Sequence, residues 1–241
     1  MFRRVFFTIL LIPVTIYYSI KTMMVDPKKC TPEEFDRSGL QWGSAAVWLS
    51  GIKIDADMGD VDPEGHYVFI GNHQSNFDIP VLFKLLKGNR IRFVAKKSLF
   101  DIPIYGKALA YSGHISIDRG NRRAAMESLN DAVKYTKTGI SPLIFPEGTR
   151  NTELDDLMEF KIGGMILALK CGLPVVPFVM TNTARVMPKG AMCIDNRHVV
   201  RFKVLPIIDP SEYTIKDREK FKNDLRESMS KAYKELLAKD Q

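Results

Sequence analysis

Twice in this chain a short apolar run breaks into a polar loop. Tyr67-Val68-Phe69-Ile70-Gly71 leads into Asn72-His73-Gln74-Ser75-Asn76-Phe77-Asp78. Pro142-Leu143-Ile144-Phe145 leads into Pro146-Glu147-Gly148-Thr149-Arg150. Short apolar runs bounded by turn formers read as buried strands. Two such loops at strand ends predict one site on the carboxyl edge of a sheet, where open α/β folds bind their ligands.

The first loop carries candidate chemistry. Residues 79–86 have the apolar density and length of a helix packed on a sheet. Ser75 or Asn76 is expected to cap it, and Pro80 fits its first turn, where backbone N–H groups lack intrahelical partners. On one continuous helix His73 and Asp78 would point to different sides, at about 100° per residue. A turn before the helix removes that obstacle. The carboxylate can then meet one imidazole nitrogen and leave the other free as a base. Taken alone, a His–Asp pair at this spacing is more often structural, and the second loop is what favours the chemical reading.

The rest of the chain supplies one α/β domain. Its 241 residues, 45% of them hydrophobic, are enough for a sizeable core. Strands are expected at 91–95, 114–118, 175–180 and 199–208, within a mostly parallel central sheet flanked by helices. The almost wholly apolar 175–180 reads as a central parallel strand. Helices are expected at 122–137, at 165–170 after Gly163-Gly164, and at 216–239. In the last, Phe221, Leu225, Met229, Ala232, Tyr233 and Leu236 form the buried side. The apolar stretch 100–111 should be mostly core, with some of it available as an acyl-chain wall. Cys30, Cys171 and Cys193 show no CxxC spacing, which suggests neither a disulfide framework nor zinc and fits a reducing compartment.

The N-terminus reads as a membrane-associating segment over residues 1–51, followed by the α/β domain over 52–241. Arg3-Arg4 precede an uncharged run from Val5 to Ile20, interrupted by Pro13. Sixteen residues at about 1.5 Å each fall short of the roughly 30 Å hydrocarbon core. No small-x-small cleavage site follows, which favours a retained in-plane or shallow segment over a cleaved signal, with a full span left open. The arginines favour the cytoplasmic side of a membrane. Thr31-Pro32-Glu33-Glu34 predicts the start of a second helix, by a capping hydroxyl, a first-position proline and early acids. That helix carries Trp42 and Trp48, suited either to a core or to the headgroup level. A formal charge of +7 suits anionic membrane, phosphate-bearing ligands or nucleic acid. No RNP-like aromatic box or zinc-finger spacing supports nucleic acid as a partner.

Four ordered blocks resemble the glycerolipid acyltransferase family, in particular its 1-acylglycerol-3-phosphate acyltransferase (PlsC) type. His73 and Asp78 stand as its NHxxxxD box and Phe145 to Arg150 as its FPEGTR box. Gly113-His114-Ile115-Ser116-Ile117-Asp118-Arg119 and Leu173-Pro174-Val175-Val176-Pro177-Phe178-Val179 stand as the second and fourth blocks. Ser116 and Asn151 depart slightly from the usual pattern. The resemblance implies transfer of a fatty acyl chain to the 2-hydroxyl of lysophosphatidate, giving phosphatidate at a membrane.

In such a reaction His73 is the expected base and Asp78 its partner. Arg150, Arg119 and Lys161 are the expected phosphate ligands, with arginine offering a planar fork. Asn72, Glu147, Gly148 and Thr149 are expected to support the loops. Glu147 could orient either Arg150 or its own loop. Absence of GxSxG argues against a serine acyl-enzyme, and HExxH, GxxxxGK[ST] and GxGxxG are also missing. No cofactor or metal is therefore expected, and the acyl donor is acyl-CoA or acyl carrier protein. The alternatives are glycerol 3-phosphate or another lysophospholipid as acceptor, or a non-catalytic membrane lipid-binding module.

Overall fold

A computed structural model of the chain describes residues 2–118, 120, 122–191 and 193–239. Arg119 lies outside the described residues, as do the side chains of residues 2–6, 122 and 125.

Two helices come first. The first, α1 (Phe2–Met24), runs through Pro13, which therefore does not interrupt it. Proline costs a helix one hydrogen bond, and neighbouring turns sustain the rest. Thr31 caps α2 (Pro32–Ser50) with the expected reciprocal capping box, Thr31 and Glu34 each satisfying the other's backbone N–H. Gly51 closes it in the left-handed conformation at φ 66°. Trp42 donates its indole N–H to the Thr15 hydroxyl, tying α2 to α1.

Among the described residues seven strands, β1 (Lys53–Asp57), β2 (Val68–Gly71), β3 (Ile91–Lys96), β4 (Ile115–Ile117), β5 (Ser141–Ile144), β6 (Val175–Thr181) and β7 (Val199–Val204), form one sheet. Their order is β1-β7-β6-β2-β5-β3-β4. Every neighbouring pair is parallel except β6 with β7. β6 is thus buried and interior, as its apolar sequence requires, but parallel only to β2. The expected strand 199–208 ends at Val204, and Ile208 returns as an isolated antiparallel bridge to Val175.

Side chains alternate across the sheet. Phe69, Phe93, Leu143, Phe178 and Phe202 face one way, against α1, α2 and α3 (Asp78–Leu85). Val68, Ile70, Ile144, Val175 and Val179 face the other, against α5 (Arg122–Thr136), α6 (Ile162–Cys171) and α8 (Arg218–Ala238). Burying each large side chain stabilises the fold by about 1.5–3 kcal/mol. The six predicted residues of α8 are all buried. Gly163 and Gly164 lie inside α6 rather than before it.

Two short helices had no sequence signal, α4 (Tyr105–Tyr111) and α7 (Thr183–Val186). None of Phe100, Ile102, Ile104, Tyr105, Leu109 and Tyr111 is fully buried, so this stretch is a wall and not core. It packs against α1, and Ile102 and Tyr105 line a cavity there instead of entering the sheet sandwich.

Candidate active site

The carboxyl end of β2 delivers the first loop. Gly71 ends the strand against the Phe178 ring, with a Cβ at that position only 2.0 Å from ring carbons. The Asn72 side chain then acts as a strand extension. Its Nδ2 donates to Met180 O at 2.8 Å, and its Oδ1 accepts from Met180 N at 2.7 Å.

His73 is held from four directions. Its backbone N–H donates to Glu147 Oε1 at 2.8 Å, and its carbonyl accepts from Asn151 N at 2.7 Å. Its ring stacks on Phe145, with centroids 4.2 Å apart and 11° between planes. Its Nδ1 lies 2.6 Å from Asp78 Oδ2. An ionised carboxylate only accepts hydrogen bonds, so the neutral imidazole tautomer that matches it has its proton on Nδ1 and its lone pair on Nε2. Among the described residues no group bonds Nε2, and the side chain is 16% exposed.

Asp78 is fully buried at the start of α3, where the helix dipole favours a negative charge. Its Oδ2 also accepts from Gln74 N at 2.8 Å and Ser75 N at 3.1 Å. Its Oδ1 has no partner among the described residues. Neither Ser75 nor Asn76 caps α3. Phe77 occupies the cap position without a side-chain bond, and Ser75 Oγ instead accepts from Phe77 N and donates to Met187 O.

The second loop arrives from β5, next to β2. Glu147 resolves in favour of the loop: it bonds His73 N and Met158 N, one with each oxygen, and not Arg150. Burial pushes its carboxyl up to about 7. Gly148 adopts φ 71°, and the Lys161 stem passes 3.0 Å from where its Cβ would stand. Arg150 is half-buried and Lys161 exposed; neither side chain has an ion-pair partner among the described residues. Thr149 is exposed. His114, from the second block, lies apart from this dyad. It accepts from Phe93 N through Nδ1, and burial together with Arg92 holds it down at about 3.

An apolar cavity of about 480 Å³ opens beside the first loop, lined by Asn76, Phe77, Trp42, Ile16, Ile102 and Met187 among others. A second cavity of about 100 Å³ shares Thr15, Trp42, Ile79, Leu99 and Tyr105 with it. No group of three or more His, Cys, Asp or Glu side chains among the described residues could hold a metal ion.

A basic catalytic-type dyad beside an apolar cavity suits acyl chemistry, and the comparisons with known proteins agree. The family model described as Acyltransferase matches residues 56–181. The chain belongs to the acyltransferase family. It is 31% identical over 207 residues to the 1-acyl-sn-glycerol-3-phosphate acyltransferase of Salmonella typhimurium, covering 83% of this chain and 82% of that one. It is 34% identical over 175 residues to the enzyme of that name from Limnanthes alba, covering 72% and 60%. The fold matches the crystal structure of the 1-acyl-sn-glycerophosphate (LPA) acyltransferase PlsC of Thermotoga maritima. That match has a TM-score of 0.81 at 22% identity and covers 98% of this chain and 97% of that one.

Three residues of this candidate site carry no sequence signal. Asn151 braces the His73 carbonyl, Gln74 turns its amide into the protein, and Met187 walls the cavity. Each meets its partner across a large sequence distance, so no local pattern betrays it.

Proposed function

We propose that this protein transfers a fatty acyl chain from a thioester to the 2-hydroxyl of 1-acyl-sn-glycerol 3-phosphate, giving phosphatidate. The observation that carries the reading is a His73 ring whose Nδ1 is fixed by buried Asp78 and whose Nε2 bonds no group among the described residues. Nε2 takes the hydroxyl proton as the oxygen attacks the thioester carbonyl. Asp78 stabilises the imidazolium, and general-base help of this kind is worth about 10²–10⁴ in rate. Collapse of the tetrahedral intermediate breaks the C–S bond, and the imidazolium returns its proton to the departing thiolate. No cofactor or metal enters this scheme.

Arg150 and Lys161, on the second loop and at the start of α6, are the cations that take the acceptor's phosphate, with Arg119 as a third. The two cavities, which share apolar lining residues, offer apolar walls to an acyl chain. Exposed Ile9, Ile12, Ile16, Tyr17 and Met24 on α1 and Trp48 on α2 support docking of the helix pair into a bilayer, on its cytoplasmic face. The helix pair (residues 1–51) serves as the docking segment of the catalytic domain (residues 52–241). Acyl-CoA and acyl carrier protein are the two donors that fit.

The test is an acyl-transfer assay in vesicles. Lysophosphatidate, glycerol 3-phosphate and lysophosphatidylcholine are offered in parallel, with each donor, to wild type and His73→Ala. Phosphatidate from lysophosphatidate alone, and by wild type alone, is expected. Equal turnover by folded His73→Ala removes the base, and product only from another acceptor removes the substrate.

A further inference from the structure

The chain's last helix reaches the catalytic loop. Tyr233 of α8 is fully buried, and its hydroxyl donates to Leu154 O at 2.9 Å. With that proton committed, the oxygen can only accept, and it accepts from Gln74 Nε2. This fixes the orientation of the Gln74 amide, whose Oε1 faces the Thr183 hydroxyl at 3.5 Å. Gln74 directly follows His73, is 2% exposed, and donates its own N–H to Asp78 Oδ2.

The same helix grips the segment after the second loop. Arg226 Nη2 donates to Leu157 O at 2.7 Å and its Nε to Met158 O at 3.1 Å. Ser230 donates to Asp156, and Lys234 pairs with it at 2.8 Å. Met158 N in turn donates to Glu147 Oε2, and Glu147 Oε1 receives His73 N. Two routes therefore lead from α8 to the dyad, one through Gln74 and one through Leu154–Met158 and Glu147.

We infer that Tyr233 is a positioning residue for the His73–Asp78 dyad, its hydroxyl pinning the first site loop to the segment that follows the second loop and to the C-terminal helix. The inference rests on the reading of His73 as the base. Tyr233 touches no reacting atom. It acts by holding Gln74, whose backbone N–H and neighbouring His73 set the approach of Asp78 Oδ2 to Nδ1. Misplacement of a base by about 1 Å can cost about a hundredfold in rate.

The test is Tyr233→Phe, which removes one oxygen and keeps the ring. Turnover of lysophosphatidate with acyl-CoA is measured in vesicles, alongside the low-field proton resonance of His73 Nδ1–H and the thermal midpoint. The expected result is a roughly ten- to hundredfold lower kcat, an unchanged KM for lysophosphatidate, and a broadened or shifted Nδ1–H resonance in a folded protein. Wild-type kcat, a rise in KM alone, or a lower kcat with an unchanged resonance each overturns the inference. If Tyr233→Phe does not fold, Gln74→Met removes the same bond from the other side and is judged by the same criteria. If the wild type makes no phosphatidate, the acceptor assignment falls, while the resonance comparison still decides whether Tyr233 positions the dyad.

Discussion

Asp78→Asn isolates the charge of the dyad from its geometry. Gln74 N, Ser75 N and His73 Nδ1 all converge on Asp78 Oδ2. The asparagine oxygen must therefore take that place, so the histidine tautomer survives. The amide NH₂ then falls where Oδ1 now sits, buried and without an acceptor among the described residues. An unsatisfied buried donor costs about 1–3 kcal/mol, which in a chain of this size lowers the thermal midpoint by roughly 2–12 °C without unfolding the protein. Catalysis loses more. Removing one partner of a buried, hydrogen-bonded ion pair costs about 3–5 kcal/mol, and the pair here forms fully only when His73 is protonated during attack. At about 1.4 kcal/mol per decade, that is a fall in kcat of roughly 10²- to 10⁴-fold. The assay follows thiol release from acyl-CoA with saturating lysophosphatidate, beside a thermal melt. A folded Asp78→Asn protein with kcat within tenfold of wild type would refute the reasoning.

Other perturbations have equally definite outcomes. Because burial holds Glu147 near 7 against an ordinary 4.5, the folded state keeps a proton that the unfolded state releases. Its contribution is complete below pH 4.5 and declines by about 3 kcal/mol as pH rises to about 7; urea unfolding between pH 5 and 8 should show this slope, and Glu147→Gln should flatten it. Gly43 packs α2 on α3, with a Cβ there 2.6 Å from Phe83 Cβ and 2.9 Å from Pro80 O; Gly43→Ala should lower stability by about 1–3 kcal/mol in the same unfolding assay. Arg150→Ala and Lys161→Ala should each raise the KM for lysophosphatidate while leaving the KM for acyl-CoA unchanged. Trp48, 73% exposed on α2, should dock the helix pair, so Trp48→Ser should weaken vesicle flotation, and unchanged flotation would count against its burial in lipid.

What the sequence discloses about this fold is what local patterns encode. β2 and β5 are legible because fully buried strands must be apolar throughout, and their loops because polar residues there interrupt that rule. The α2 capping box is legible because its partners lie three residues apart. The antiparallel β6–β7 pair is not, since an interior strand looks the same whichever way its neighbour runs. The 100–111 stretch misleads because a cavity wall and a core share one composition. Within the site, His73 and Asp78 are readable as a pair five residues apart. The Glu147 brace, the Asn72 bridge to Met180 and the Asn151 contact join residues more than seventy positions apart. Only the completed sheet reveals them. Arg119 remains a sequence expectation outside the described residues.

The strand order also has a consequence for how the chain is made. β2, which leads into the His73 loop, sits between β5 and β6, and Asn72 is anchored 108 residues downstream. β1 has β7 as its neighbour, with Asp55 and Arg201 separated by 146 residues. A ribosome releases the dyad's residues long before it releases the strands that hold them. Non-local pairings of this kind form late and slowly. The helix pair is thus complete before the loops of the dyad have the strands that hold them, and a chain stopped before Met180 lacks the partner that anchors Asn72.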